Sequence, residues 1–200
     1  MILARSDSVI SAIPPETIPV IIILVSIVAF TIIIERMIYF WNISRLDAGD
    51  IREIKNLVIT GKLDDVLLFV KKFNNPSARL VESAILTSRT GKQWIEDEIA
   101  IEGNRLVDQM EKFLSGLGTI ASVAPLLGVL GTVVGIIRSF AAGAGTKGAE
   151  IGISEALITT AMGLAVAIPA YIFYNYFNAK KDNLVIEMEN VTAQLLKLLR

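Results

Sequence analysis

The chain has 200 residues, 53% of them apolar before glycine is counted, against about 45–50% with glycine included in ordinary globular domains. Nineteen basic and 20 acidic residues leave a net charge of −1, so no basic nucleic-acid footprint is present. There is no His and no Cys, which excludes disulfides, thiolate or imidazole metal sites, Cys nucleophiles and His-based triads, and points away from an enzyme, a bound metal or a cofactor.

Residues 1–17 form a short leading segment with Arg5 and a Pro14-Pro15 turn. Ile18–Ile34 is apolar except for Pro19, Ser26 and Thr31, and its length reaches the 17–25 residues or so that a membrane helix needs. Glu35 and Arg36 end it, and Tyr39, Phe40 and Trp41 follow as an interfacial aromatic belt. No small-residue cleavage site follows, so it reads as a span rather than a removable signal.

Residues 35–112 hold 25 of the chain's charges and show helical patterning. Asp50 with Glu53 reads as a capping pair opening a helix. Leu63, Val66, Leu67 and Val70 make an apolar stripe after the Gly61 break. Asn75-Pro76 restarts the chain, and Gly91 stops the next helix after Arg89. From Gln93, Ile95, Ile99, Leu106, Met110 and Phe113 form a stripe that leads into the second span without a proline. The expectation is one unbroken helix of about 45 residues, roughly 65–70 Å long.

The second span, 113–137, carries no charge between Lys112 and Arg138. A connection follows over 138–154, where Gly143-Ala-Gly-Thr-Lys147 lacks the glycine before lysine of a phosphate loop. The third span covers 155–177, and the tail 178–200 continues it with Leu184, Met188, Val191, Leu195 and Leu198 at packing-seam spacing. The fold class is therefore all-α, with three transmembrane helices, the second and third extended beyond the bilayer. Six basic residues flank one side (Arg36, Arg45, Arg105, Lys112, Lys180, Lys181) and three the other (Arg5, Arg138, Lys147). Residues 35–112 and the C-terminus are then cytoplasmic and the N-terminus lies outside.

Gly128, Gly131 and Gly135 in the second span allow another helix to approach closely, and Thr159/Gly163/Ala167 and Ala161/Ala165 offer small-residue rows in the third. Glu155 is the only acidic residue within a span boundary. By itself it reads either as a proton- or ion-handling group or as a carboxylate favoured by the helix N-terminus. Thr132, Thr159 and Thr160 place hydroxyls at membrane depth, where a bond to the carbonyl four residues earlier is the default. At 100° per residue Thr159 stands about 40° from Glu155 and Thr160 about 140°, so the two cannot share one narrow face with it. Pro125 and Pro169 each remove a backbone donor inside a span. A stand-alone transporter and a purely structural scaffold are the competing classes, but no internal repeat supports the first.

The stretches APLLGVLGTVVGIIRSF (124–140) and ISEALITTAMGLAVAIPAYIFYN (153–175) resemble the ExbB/TolQ/MotA proton-channel family, its ExbB and TolQ branch above all. The three-span outline resembles that branch as well. The resemblance implies an inner-membrane homo-pentamer whose second and third spans line a pore. That pore holds the single spans of an ExbD/TolR-like partner dimer, which supplies the carboxylate absent from mid-membrane here. It further implies work on a TonB/TolA-like envelope-spanning protein, powered by the proton motive force within membrane lipid. By motif, Thr132 and Thr160 correspond to pore threonines, Glu155 to a pore-side Glu and Asn175 to the Asn ending the third span. Thr159 stands beside Thr160 and could share its role.

Overall fold

The computed structural model describes residues 14, 16–90, 94–141, 143 and 147–199. Pro15, Gly91, Gln93, Arg5 and most of the 143–147 loop, each read above from sequence, lie outside the described residues. The described residues form seven α-helices and no strand: α1 (Thr17–Trp41), α2 (Ala48–Ile59), α3 (Leu63–Val70), α4 (Pro76–Thr90), α5 (Ile95–Glu111), α6 (Leu114–Ala141) and α7 (Lys147–Leu199). α1, α6 and α7 are long and apolar enough to cross a membrane. The helical ends of α6 and α7 run beyond the apolar stretches on both sides of their connection.

The chain divides into two compact units. One comprises Met1–Ile34 and Phe113–Asn175, the other Glu35–Lys112 and Tyr176–Arg200. In the first, α1 is apolar on all sides, the signature of a helix solvated by lipid rather than water. Ile22, Ala29 and Ile33 are buried, while Leu24, Ile27, Val28 and Ile34 are more than half exposed. α6 and α7 meet through small residues. A Cβ added to Gly135 would lie 2.6 Å from the Ala156 Cβ, and one on Gly163 would lie 2.6 Å from the Ala124 carbonyl oxygen. Of the two small-residue rows on α7, Thr159/Gly163/Ala167 is buried and Ala161/Ala165 is exposed. Pro125 and Pro169 sit inside continuous helices.

The second unit buries a core from α2–α5 and the end of α7, including Ile54, Val66, Val81, Ile85, Ile99, Val191 and Leu195. The cap of α2 is Asp47, one turn earlier than the expected Asp50–Glu53 pair. Asp50 is its N3 partner, accepting the Asp47 backbone N–H at 2.9 Å. Gly61 adopts φ +70°, the left-handed conformation that closes α2 and frees the chain to begin α3 at Leu63. In the tail, Met188, Val191 and Leu195 are buried as the seam requires, but Leu199 is buried in place of Leu198.

Two polar anchors hold this unit. Arg36 is 2% exposed. It pairs with Glu35, stacks 4.6 Å over the Tyr39 ring and donates to the Gln109 carbonyl at 3.0 Å. It thereby satisfies an orphan carbonyl at the end of α5. Asn75 and Ser77, both buried, donate to Glu187 Oε1 at 3.1 and 3.0 Å. Lys181 donates to Glu111 at 2.8 Å, and that hydrogen bond raises its pKa above the ordinary lysine value.

The single long helix expected from Gln93 through the second span is corrected by the structure. α5 ends at Glu111, Lys112 is extended (φ −49°, ψ 129°) and Phe113 has φ +65° before α6 begins at Leu114. A left-handed residue reverses the helical sense and breaks the hydrogen-bond ladder. Phe113 is accordingly 46% exposed and does not continue the buried stripe of Ile95, Ile99, Leu106 and Met110.

Candidate functional site

The membrane unit brings Thr132 of α6 and Thr160 of α7 together. Their hydroxyls hydrogen-bond to each other across the helix pair. Thr160 Oγ1 also lies 3.0 Å from the Gly128 carbonyl oxygen, and Thr132 Oγ1 lies 3.1 Å from that of Ala156 and 3.2 Å from that of Gly128. The close approach has a sequence cause: a Cβ on Gly128 would stand 3.0 Å from the Thr160 Cα. Without a side chain there, the backbone of α7 comes near enough for a short hydroxyl to reach a carbonyl of the opposite helix. A threonine hydroxyl can donate one hydrogen bond and accept two, so this pair can stabilise either a charged or a neutral group placed beside it.

Thr159 behaves differently from its neighbour. It is buried, its methyl packs on Gly131, and its hydroxyl returns to the Glu155 carbonyl at 3.1 Å. That is the ordinary bond to the carbonyl four residues earlier. Gly131, Gly135 and Gly163 all lie at the α6–α7 contact. Asn175 is exposed and donates to the Tyr171 carbonyl at 3.0 Å. It stands 20 residues, or about 30 Å of helix rise, from Glu155.

Glu155 does not join the hydroxyl pair. It is exposed and, with Thr159, lines a cavity of about 690 Å³ bounded by the start of α1 and by α6 and α7. Arg138 and Ser139 of α6 and Glu16 at the start of α1 line the same cavity. The sequence reading used Arg138 as the end of a span and in the count of flanking basic residues, and it assigned no role to Glu16 or Ser139. One signal was present: Ser139 extends the Gly131/Gly135 row by a further four residues. It is buried, and its Oγ donates to the Gly135 carbonyl at 2.9 Å. Among the described residues no three Asp or Glu side chains are grouped so as to hold a metal ion.

The MotA/TolQ/ExbB proton channel family matches residues 72–190, more than half of the chain, and this region holds α6, the hydroxyl pair and Glu155. A biopolymer transport protein ExbB from Pseudomonas putida is 31% identical over 187 residues, covering 86% of this chain and 56% of that protein. The chain thus spans little more than half the length of that relative. An ExbB from Neisseria meningitidis is 29% identical over 195 residues, covering 88% of this chain and 87% of its own length. A Tol-Pal system protein TolQ from Haemophilus influenzae is 47% identical over 77 residues, covering 36% of this chain and 34% of its own. With its three apolar helices, this chain belongs to the MotA/TolQ/ExbB proton channel family and is a multi-pass membrane protein.

Proposed function

We propose that the chain is a proton-channel subunit of an inner-membrane motor. It forms a homo-pentamer around an ExbD-like dimer of single-span partners and uses the proton motive force to energise transport across the outer membrane. Its N-terminus faces the periplasm and its C-terminus the cytoplasm. The observation that carries the reading is the Thr132–Thr160 hydroxyl pair bridging α6 and α7. A partner carboxylate facing that pair would receive hydrogen bonds when ionised and donate one when protonated, so both states of a proton carrier are accommodated. Glu155, on the same helix, lies where protons are exchanged with water, and Asn175 ends the span on the opposite side.

Long alignments with ExbB proteins favour an ExbB-type role. The alternative, a TolQ-type subunit for outer-membrane integrity and cell division, rests on the shorter 47% match. Complementation of each kind of deletion strain separates the two.

The decisive experiment compares Glu155→Ala and Thr160→Val with the unaltered chain, co-expressed with a single-span companion. Each variant should lose energised output while native mass spectrometry still shows five copies of 21.8 kDa with two companion masses. Full output from either variant removes the role given to that residue. A monomer that ignores the companion removes the ring.

A further inference from the structure

One hollow in the second unit gathers aromatic rings and cations. Its volume is about 330 Å³; Phe40, Trp41 and Arg45 line it from one stretch of chain, Tyr176, Phe177 and Lys180 from another. Among the described residues its wall holds no carboxylate. Phe40 and Phe177 are buried and stack with ring centroids 5.6 Å apart, forming an apolar floor. Trp41 is 83% exposed and Tyr176 48%. The chain register puts these residues at the edge of the apolar stretches. Tyr176 and Phe177 close the third, Lys180 follows three residues later, and Trp41 stands seven residues, about 10 Å of helix rise, past Ile34. Exposed tryptophan and tyrosine at that depth favour the headgroup zone of a bilayer.

The two cations of the hollow have no counter-charge. Lys181 pairs with Glu111 at 2.8 Å, whereas its neighbour Lys180 lies 5.5 Å over the Tyr176 ring. Among the described residues neither Lys180 nor Arg45 has an ion-pair partner. An adjoining hollow, also of about 330 Å³, shares Phe40, Arg45 and Lys180 and does include Asp47 and Glu187. Those carboxylates are engaged elsewhere, Asp47 as the cap of α2 and Glu187 as acceptor for Asn75 and Ser77. A guanidinium and an ammonium together suit a phosphate, and the aromatic floor suits apolar chains attached to it.

We propose that this hollow seats one anionic phospholipid, its phosphate held between Arg45 and Lys180 and its chains passing Trp41 and the Phe40–Phe177 pair. A zwitterionic lipid carries an ammonium as well as a phosphate. The wall offers no carboxylate to receive that ammonium, so the site prefers a headgroup with net negative charge. The proposal requires only that the chain crosses a membrane and is independent of the proton-channel reading. In the orientation proposed above, the lipid belongs to the cytoplasmic leaflet.

Trp41 is itself the reporter once Trp94, the second tryptophan of the chain, is replaced by Phe. The Trp94→Phe chain, reconstituted in phosphatidylcholine, is titrated with phosphatidylglycerol or phosphatidylcholine carrying brominated acyl chains, which quench tryptophan on contact. The brominated phosphatidylglycerol is expected to bind about tenfold or more tighter than the brominated phosphatidylcholine. Arg45→Gln and Lys180→Gln should each lower that preference about threefold or more. Arg52→Gln removes an exposed cation of α2 that lines neither hollow and should leave the preference unchanged. An equal loss in Arg52→Gln overturns the site, since general surface charge then suffices. Equal quenching of the Trp94→Phe chain by the two lipids overturns it as well, and needs no further variant. So does a Trp41 that neither lipid quenches, the result expected if a second copy of the chain covers the hollow. Millimolar inorganic phosphate separates the sources of the phosphate group: it should not displace the brominated lipid, and displacement would replace the lipid site by one for a soluble phosphate.

Discussion

Gly163 approaches α6 so closely that a methyl group on it would sit 2.6 Å from the carbonyl oxygen of Ala124. The obstacle is backbone, which cannot swing aside as a side-chain tip could. Gly163→Ala is therefore expected to destabilise the assembled protein by about 1–3 kcal/mol, as overpacking does. Gly103, inside α5, has only the Leu80 side chain at 3.9 Å from an added Cβ. There the same substitution should stabilise by about 0.5–1 kcal/mol, because alanine is the better helix former. Thermal unfolding of the two variants should move in opposite directions.

Phe113 holds a left-handed conformation that costs a non-glycine residue about 1–2 kcal/mol. Phe113→Gly should leave stability unchanged or raise it slightly, since the lost ring is half exposed. Phe113→Val should lower it by about 1–2 kcal/mol, because a β-branched residue tolerates positive φ least. Urea titration followed by circular dichroism compares the three chains.

Glu187 accepts hydrogen bonds from Asn75 and Ser77 through one carboxylate oxygen. Glu187→Ala strands two buried donors, and each stranded donor costs about 1–3 kcal/mol. Ser77→Ala removes one donor together with its need for a partner, so its loss should be smaller than that of Glu187→Ala. Amide hydrogen exchange in α4 reads the difference.

Thr160→Ser keeps the hydroxyl and Thr160→Val keeps the shape. Serine should retain most of the proton flux measured in reconstituted vesicles. Valine should lower it about tenfold or more, the equivalent of one hydrogen bond worth about 1.5 kcal/mol. Equal flux in the two variants would mean that shape, not the hydroxyl, matters at this position.

The spans were legible because about twenty uncharged residues in a row leave little alternative to a membrane helix. The helices of the second unit were legible wherever Pro76 or Gly61 marked a boundary. The break at Phe113 was not, since it carries neither Gly nor Pro and its stripe of apolar residues runs on without a fault. Asp47 was missed as a cap because Asp50 imitates one three residues later. For the site, helical angles separated Thr160 from Glu155, and the structure likewise puts them on different faces. The cavity that gathers Glu16, Arg138 and Glu155 joins the start of α1 to residues more than a hundred positions away on α6 and α7, which no local pattern encodes.

The hydroxyl pair has two protons to distribute over the oxygens of Thr132, Thr160, Gly128 and Ala156. Several arrangements are therefore close to degenerate, and passing between them needs only the rotation of a C–O bond. Such rotors turn on a picosecond-to-nanosecond scale or so, whereas shifting one helix past another takes about microseconds to milliseconds. The polar wall between α6 and α7 can thus re-form without the glycine-packed helices moving apart, so in the proposed motor its resetting would not limit turnover.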